Sequence, residues 1–179
     1  MLKTFAQAAE DYCAAAEKRV TQSLPRLLLL GALAGAFIAF AGVAASVGGA
    51  LGGKLASATI FPIGLTMVLL AGSELFTGNS LMVIGAMSKK FSWGSLAKNW
   101  VIVWLGNLVG SLVLVAIIYA CGTWSMNGGA VGDTMVAVAT SKINLSWGTI
   151  FFRGIMCNIL VCLAVWMGFA GKSVIDKIF

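Results

Sequence analysis

The residues of this chain that could do chemistry lie in one stretch, residues 71–80, which carries a carboxylate, two glycines and several small polar side chains. The carboxylate is Glu74, and the glycines are Gly72 and Gly78. The stretch lies inside an apolar run, residues 55–88, which as one helix would be about 50 Å long at about 1.5 Å per residue. A bilayer core of about 30 Å needs only about 20 residues. The excess length and the central charge together predict a helix that breaks inside a membrane and lines a cavity.

A break at residues 74–79 would end one half-helix and begin another near the middle of the membrane. The new amino terminus would carry about half a positive charge and unpaired N–H groups, both of which favour an anion. Gly72 and Gly78 can adopt backbone conformations that other residues avoid, and Asn79 can cap a helix end. Because discontinuous helices aimed at a central site recur in transporters, the pattern favours transport.

Glu74 has two interpretations. An ionisable residue at this depth often marks a functional site. Alternatively, its carboxylate accepts hydrogen bonds from N–H groups of the loop and holds the break together. Because a negative side chain would oppose an anion, we favour the supporting role for Glu74, shared with Gly72, Gly78 and Asn79. Thr77 is then the better candidate to face the permeating species.

Further candidates lie outside the break. Lys142 falls in a segment with few other positive charges, where it is either a solvated lysine or an attractive charge at an outer mouth. Asn158 is a lone amide in an apolar helix, which suits either an interhelical hydrogen bond or a polar path. Phe61 and Leu65 are four residues apart and share one helix face, which would form a constriction only in a pore.

The composition identifies an integral membrane protein. Of 179 residues, 60% are hydrophobic and only 10% are charged, whereas a soluble domain has about a quarter charged residues. The net charge of +6 does not indicate nucleic-acid binding, because the basic residues are scattered in short segments between apolar runs. A positive-inside bias explains them better.

The residue types also argue against an enzyme. The chain has no histidine, which removes the commonest metal ligand and general base. Its 4 cysteines form no C-x-x-C pair and are expected to pack as small apolar side chains. We therefore expect no catalytic residue, no cofactor, no metal site and no disulfide framework.

The apolar runs predict an amphipathic cytoplasmic helix within residues 1–26 and a transmembrane channel domain over residues 27–179. The amphipathic helix is expected to lie on the membrane surface or against a neighbouring subunit. Residues 123–146 are polar and contain glycine, which predicts a loop. The four predicted spans are residues 27–51, 55–88 (interrupted at 74–79), 99–122 and 147–171.

The distribution of basic residues predicts the orientation. If the interrupted run crosses the membrane once, nine basic residues share one side and two, Lys54 and Lys142, lie opposite, with Arg153 at a span end. If the run folds back, the division is five against six. Only the first satisfies the positive-inside rule. We therefore expect a single crossing, a cytoplasmic amino terminus and an inner (plasma) membrane location.

Four motifs resemble the formate/nitrite transporter family, in the order in which that family has them. They are Gly72-Ser73-Glu74-Leu75-Phe76-Thr77-Gly78-Asn79, Ala97-Lys98-Asn99-Trp100, Gly106-Asn107-Leu108-Val109-Gly110 and the segment from Cys157 to Met167. The resemblance extends from about Leu27 to Phe179. The first motif is somewhat more similar to the hydrosulfide channels of the family than to its formate channels.

The resemblance implies an aquaporin-like bundle of six spans in two inverted halves, assembled as a homopentamer in the lipid bilayer. It implies passage of small monovalent anions or their weak acids, such as formate, nitrite or hydrosulfide. Phe61 and Leu65 would belong to an outer constriction, and Lys142 and Asn158 to a central site. Leu75, Phe76 and Thr77 would belong to the break and an inner constriction.

The chain departs from the family pattern in one respect. The family has a histidine in a broken fifth helix, whereas this sequence has no histidine and ends soon after the fourth predicted span. We therefore expect it to be the first four spans of a longer chain. Two alternatives stay open: a channel for water or neutral solutes, and a membrane scaffold that transports nothing.

Overall fold

The computed structural model describes residues 3–178, without the side chain of Ile178, and over this range it contains helices and turns but no strand. Short 3₁₀ turns join α4 to α5 and precede α7. The helices are α1 (Phe5–Val20), α2 (Leu24–Ile60), α3 (Ile63–Ala71), α4 (Phe76–Asn79), α5 (Val83–Met87), α6 (Trp93–Ala120), α7 (Ala130–Ile143), α8 (Trp147–Ala170) and α9 (Ile175–Ile178).

Three helical stretches are long and apolar enough to cross a membrane: Leu24–Ala71, Trp93–Ala120 and Trp147–Ala170. The first is 48 residues long, more than twice the length that one crossing needs. A shorter apolar stretch, Phe76–Met87, follows it. The chain is therefore a multi-pass membrane protein, and the predicted all-helical fold with an interrupted second helix is confirmed.

The long first stretch reverses direction at Gly53. This residue has φ 75° and ψ −168°, a backbone conformation that favours glycine. After the reversal, Ile60 packs against Gly48, and Gly64 of α3 packs against Ala41. The chain thus forms an antiparallel hairpin whose turn falls between the first two predicted spans.

Helices α2 and α6 cross at very short range. The Cα of Gly106 would lie 3.2 Å from a Cβ placed on Gly31, and a Cβ on Gly35 or Gly110 would overlap the backbone of the other helix. The Gly-x-x-x-Gly spacing on both helices permits this approach. The crossing fixes α6 beside the helix break.

One expectation about the intervening segments is wrong. Residues 123–146 are not a loop, since they contain α7, with Asp133 in its first turn and Lys142 in its last, where each charge complements the helix dipole. Helix α6 contains most of the predicted span over residues 99–122 and begins earlier, at Trp93, where the Ser92 hydroxyl caps it by accepting the Ser95 N–H at 3.1 Å.

Helix α1 packs against its own chain. Tyr12 and Ala16 are fully buried, and they contact a cluster that includes Met82 and Leu96. Just before this helix, the Lys3 N–H donates to the Ala170 carbonyl of α8 at 2.9 Å. The expectation that α1 lies on the membrane surface or against a neighbouring subunit is therefore wrong for the face that carries Tyr12 and Ala16, which packs inside the chain, whereas Phe5 is 77% exposed.

Candidate functional site

The helix break covers residues 72–75. Helix α3 ends at Gly72, whose φ of 63° is left-handed and whose N–H donates to the Val68 carbonyl. The Ser73 N–H donates to the same carbonyl at 3.1 Å, which satisfies the helix end. Leu75 is extended, and α4 begins at Phe76. The break thus lies earlier than the predicted residues 74–79, because a left-handed glycine terminates the helix there.

Gly78 contributes in a different way from the one expected. It lies within α4 and is not among the residues with positive φ, so it needs no unusual backbone conformation. Its Cα instead faces α8, where an added Cβ would lie 3.2 Å from the Val165 side chain. Close packing of α4 against α8 therefore explains this glycine.

Asn107 of α6 satisfies the backbone of the break. Its amide nitrogen donates to the carbonyls of Gly31 and Glu74, both at 2.8 Å, and its amide oxygen accepts the Phe76 N–H at 2.9 Å. The Glu74 N–H donates to the Leu30 carbonyl at 3.2 Å. Backbone groups that a bilayer would leave unpaired are thus paired by a neighbouring helix. The Phe76 N–H, the first of the new half-helix, is occupied by Asn107.

A buried polar cluster lies on the α1 side of the break. The Glu74 carboxylate is 2% exposed and lies 3.2 Å from Nε of Arg19. Its other oxygen accepts a hydrogen bond from Asn79 Nδ2 at 2.7 Å, and Arg19 Nη1 donates to Asn79 Oδ1 at 3.0 Å. Asn79 Nδ2 also donates to Asn99 Oδ1 at 3.0 Å. The Glu74 carboxylate therefore bonds to side chains of α4 and α1, not to the loop N–H groups that we expected.

Two aromatic donors complete the wall of this cluster. The Tyr12 hydroxyl donates to the Gly78 carbonyl at 3.2 Å, and the Trp100 indole donates to the Asn79 carbonyl at 3.0 Å. The Tyr12 ring packs edge-on against Phe169 of α8, with centroids 4.9 Å apart. Helices α1, α4, α6 and α8 thus meet around one buried set of hydrogen bonds.

Replacing Tyr12 with phenylalanine should lower the free energy of unfolding by about 0.5–1.5 kcal/mol, because it removes the hydrogen bond to Gly78 and keeps the ring. Thermal unfolding in detergent measures the change. The matched control is Tyr119→Phe, since Tyr119 is exposed and its loss should have little effect. Equal destabilisation by the two variants would contradict the assignment.

The same comparison has a defined pH dependence. Burial raises the pKa of the Tyr12 phenol above its ordinary value of 10.0. Above about pH 10 the unfolded phenol therefore releases its proton while the folded one keeps it, and the stability of the wild-type protein falls as the pH rises. Its advantage over Tyr12→Phe should be complete below about pH 10 and shrink above it.

A cavity of about 480 Å³ lies between the break, α1 and α8. Its apolar wall comes largely from α3, the break and α8, and its charged rim comes from both ends of the chain. It is lined by Lys3, Asp11, Ala14, Ala15, Lys18, Arg19, Leu65, Val68, Leu69, Gly72, Ser73, Leu75, Gly78, Asn79, Val165, Gly168, Phe169, Gly171 and Lys177. Four of these side chains are basic and one is acidic.

Only some of the predicted pathway residues line this cavity. Leu65 and Leu75 line it. Phe61, at the turn between α2 and α3, is 48% exposed and lies outside it. Phe76 points to the other side of α4, where its ring lies 6.5 Å from that of Trp100 and packs against residues of α2 and α6.

The remaining three predicted residues lie elsewhere. Asn158 Nδ2 donates to the Ser80 hydroxyl at 3.0 Å, beside a second, apolar cavity of about 590 Å³. Thr77 is half-buried, and its carbonyl accepts from the Cys162 thiol at 3.5 Å. Lys142 is exposed and lines neither of these two cavities.

Sequence reasoning missed four residues of the site: Tyr12, Arg19, Asn99 and Asn107. A signal existed for Arg19, because a carboxylate buried in a membrane segment requires a cationic partner. Asn107 is a lone amide in an apolar span, flanked by the glycines that bring α2 close. Asn99 lies in the second of the four family motifs, but the resemblance assigned it no role, and Tyr12 carries no signal because it faces inward only in the folded chain.

The sequence and the fold have counterparts among known proteins. The sequence model described as "Formate/nitrite transporter" matches residues 6–179. The formate channel FocA of Haemophilus influenzae is 40% identical over 126 residues, or 70% of this chain and 44% of its own length. The probable formate transporter of Methanothermobacter thermautotrophicus is 38% identical over 99% of this chain and 73% of its own.

A solved structure described as "Pentameric formate channel with formate bound" superimposes with a TM-score of 0.80 at 38% identity. The match covers 87% of this chain and 64% of that one, so the chain spans only part of the length of such relatives. With a family match over residues 6–179 and a fold shared with this solved structure, this chain belongs to the formate/nitrite transporter family.

Proposed function

We propose that the chain forms part of a channel that passes small monovalent anions or their weak acids, with formate, nitrite and hydrosulfide as the candidates. The observation that carries the proposal is the cavity at the helix break, which combines an apolar wall with a basic rim. Relatives named as formate channels and as a nitrite transporter support the substrate class. The resemblance of the first motif to the hydrosulfide branch keeps hydrosulfide among the candidates.

The basic rim of the cavity favours a charged anion, whereas its apolar wall favours a neutral molecule. Lys18 and Lys177 raise the local concentration of anions at the mouth of the cavity. Leu65 and Leu75 disfavour a charged species in the wall because a bare ion there loses its hydration. A weak acid can satisfy both conditions, because it enters the basic rim as the anion and crosses the apolar wall in its neutral, protonated form.

The break keeps its own polar groups away from the permeating species. Asn107 occupies the backbone groups of the break, and Arg19 and Asn79 occupy the Glu74 carboxylate. The buried carboxylate is thereby neutralised within the wall and does not repel an anion. This arrangement supports the proposed supporting role of Glu74, Gly72, Gly78 and Asn79.

The family resemblance supplies the remaining roles. Phe61 and Leu65 are proposed as an outer constriction, and Leu75, Phe76 and Thr77 as an inner one. Lys142 and Asn158 are proposed as the attractive charge and amide near a central site. Of this set, Leu65 and Leu75 have direct support from the cavity.

We further propose a homopentamer in the inner (plasma) membrane, with the amino terminus in the cytoplasm. The solved relative described as pentameric supports the assembly. Large apolar side chains exposed along α6 and α8, including Leu112 and Phe152, support contact with lipid or neighbouring subunits. The positive-inside bias supports the orientation.

The test is flux into proteoliposomes that contain the purified protein, with formate, nitrite, hydrosulfide and sucrose compared. We expect flux of at least one of the three anions and exclusion of sucrose. Anion flux no higher than that of protein-free liposomes, or flux equal to that of sucrose, would overturn the proposal. Stable co-purification with an enzyme in the absence of flux would favour a scaffold instead.

Replacing Lys142 with glutamate separates an anion pathway from a neutral one. If Lys142 attracts anions, the variant should lower formate flux several-fold at low salt, and the effect should shrink at high salt because ions screen the charge. Lys142→Arg keeps the charge and should retain the wild-type flux. Unchanged formate flux in Lys142→Glu, with water or glycerol flux also unchanged, would favour a neutral-solute channel.

A further inference from the structure

Two buried polar atoms close to the break have no hydrogen-bond partner within the described part of the chain: Gln22 Oε1 and Asn99 Nδ2. Asn99 is 1% exposed, and its other amide atom, Oδ1, already accepts from Asn79. An unpaired buried amide group costs about 1–3 kcal/mol, and native structures contain few of them. Each of these two atoms therefore requires a partner.

Both residues line the same small cavity, of about 30 Å³, between the α1–α2 link and α6. Leu24, Leu27 and Ile102 contribute to its apolar side, and Ser95 and Lys98 also line it. A volume of this size exceeds the roughly 10–15 Å³ that a buried water molecule requires, and it is too small for a larger organic ligand.

The two unpaired atoms specify the chemistry of the occupant. Gln22 Oε1 is an acceptor and repels an anion, whereas Asn99 Nδ2 is a donor and repels a cation. The occupant must donate to the first and accept from the second, and water does both. We propose that a single buried water molecule bridges Gln22 Oε1 and Asn99 Nδ2 and is an integral part of this fold.

The bridge extends the polar cluster to the link between α1 and α2. Gln22 bonds to the water, the water to Asn99, and Asn99 to Asn79, which contacts both Glu74 and Arg19. Helix α1 is thereby connected to the break at two points, through Arg19 and through the link that follows it. Gln22 and Asn99 thus position α1 and its link against the break, whichever species the protein transports.

A double-variant cycle tests the bridge. Gln22→Met and Asn99→Leu each remove one partner of the water and should each lower the melting temperature in detergent by a few degrees. The double variant should lower the melting temperature by clearly less than the sum of the two single changes. The first substitution already costs the water one of its partners, so the second has less of the bridge left to remove. Strict additivity would overturn the proposal.

The control cycle pairs Gln22→Met with Asn158→Leu, an amide on α8 that lies outside this cavity, and these two changes should add. If Asn99→Leu does not fold, the test is a structure of the wild-type protein and of Gln22→Met at a resolution that shows ordered water. Density between the two amides in the wild-type protein only would support the bridge. A direct Gln22–Asn99 hydrogen bond, or no density in either protein, would overturn it.

Discussion

Replacing Arg19 with methionine should lower the free energy of unfolding by about 3–5 kcal/mol, because it leaves a buried carboxylate without its cation. The Glu74 side chain is 2% exposed and that of Arg19 is 17% exposed, so solvent compensates little of the loss. Arg19 also donates to Asn79, and this bond disappears with it. Unfolding in detergent, followed by temperature or denaturant, measures the change.

The second variant of the pair identifies the cause. Adding Glu74→Gln to Arg19→Met removes the unpaired charge and retains an amide that can bond to Asn79, so the double variant should recover part of the lost stability. The matched control is Lys18→Met, since Lys18 is an exposed basic residue next to Arg19 and surface changes usually fall within about 0.5 kcal/mol. A double variant as unstable as the sum of its singles would mean that the ion pair contributes nothing of its own.

The second large effect is expected from a single methyl group at Gly110. A Cβ there would overlap the Ala32 carbonyl of α2, and this obstacle is backbone that no rotamer change can move. The helices would have to separate, which over-packing data suggest costs about 1–3 kcal/mol or more. Separation would also displace Asn107, three residues away on the same helix, from Gly31 and from the break. We therefore expect Gly110→Ala to lose both stability and anion flux.

Gly42→Ala is the control for this change. Gly42 lies in the interior of α2, and an added Cβ would meet nothing within 4 Å. Alanine should therefore stabilise the helix by about 0.5–1 kcal/mol relative to glycine. Opposite signs for the two glycine substitutions would establish the crossing, whereas destabilisation by both would point to a general intolerance of α2 and α6 to substitution.

Much of the fold could be predicted from the lengths of the apolar runs and from the few polar residues inside them. A run too long for one crossing, with Glu74 near its middle, predicts the broken helix, and the four motifs predict the family, which the comparisons confirm. The relatives are named as channels and transporters, which agrees with the expectation of a transport protein rather than an enzyme. These features depend on short motifs or on the overall composition of a segment, and both can be recognised in one sequence.

Other parts of the site depend on pairings between distant residues, which one sequence does not specify. Asn107 and Asn158 are both lone amides in apolar helices, yet only Asn107 contacts the backbone of the break. Arg19 and Lys18 are adjacent bases, and which one faces Glu74 depends on how α1 docks. Helix α7 was missed because the glycines before it suggested a loop, while its own residues are compatible with a helix.

The docking of α1 also constrains the order in which the chain acquires its structure. This helix precedes its partners in the chain, since its contacts lie on segments made later: Glu74 of the break, Asn79 of α4, and Trp166 and Phe169 of α8. Tyr12 and Ala16 can pack against Met82 and Leu96 before α8 is made, but the contacts of Phe5 with Trp166 and of Tyr12 with Phe169 form only once α8 is in place. Since a partly covered apolar face invites misassociation while a nascent chain is incomplete, α1 is a segment whose complete docking marks the completion of biosynthesis through α8.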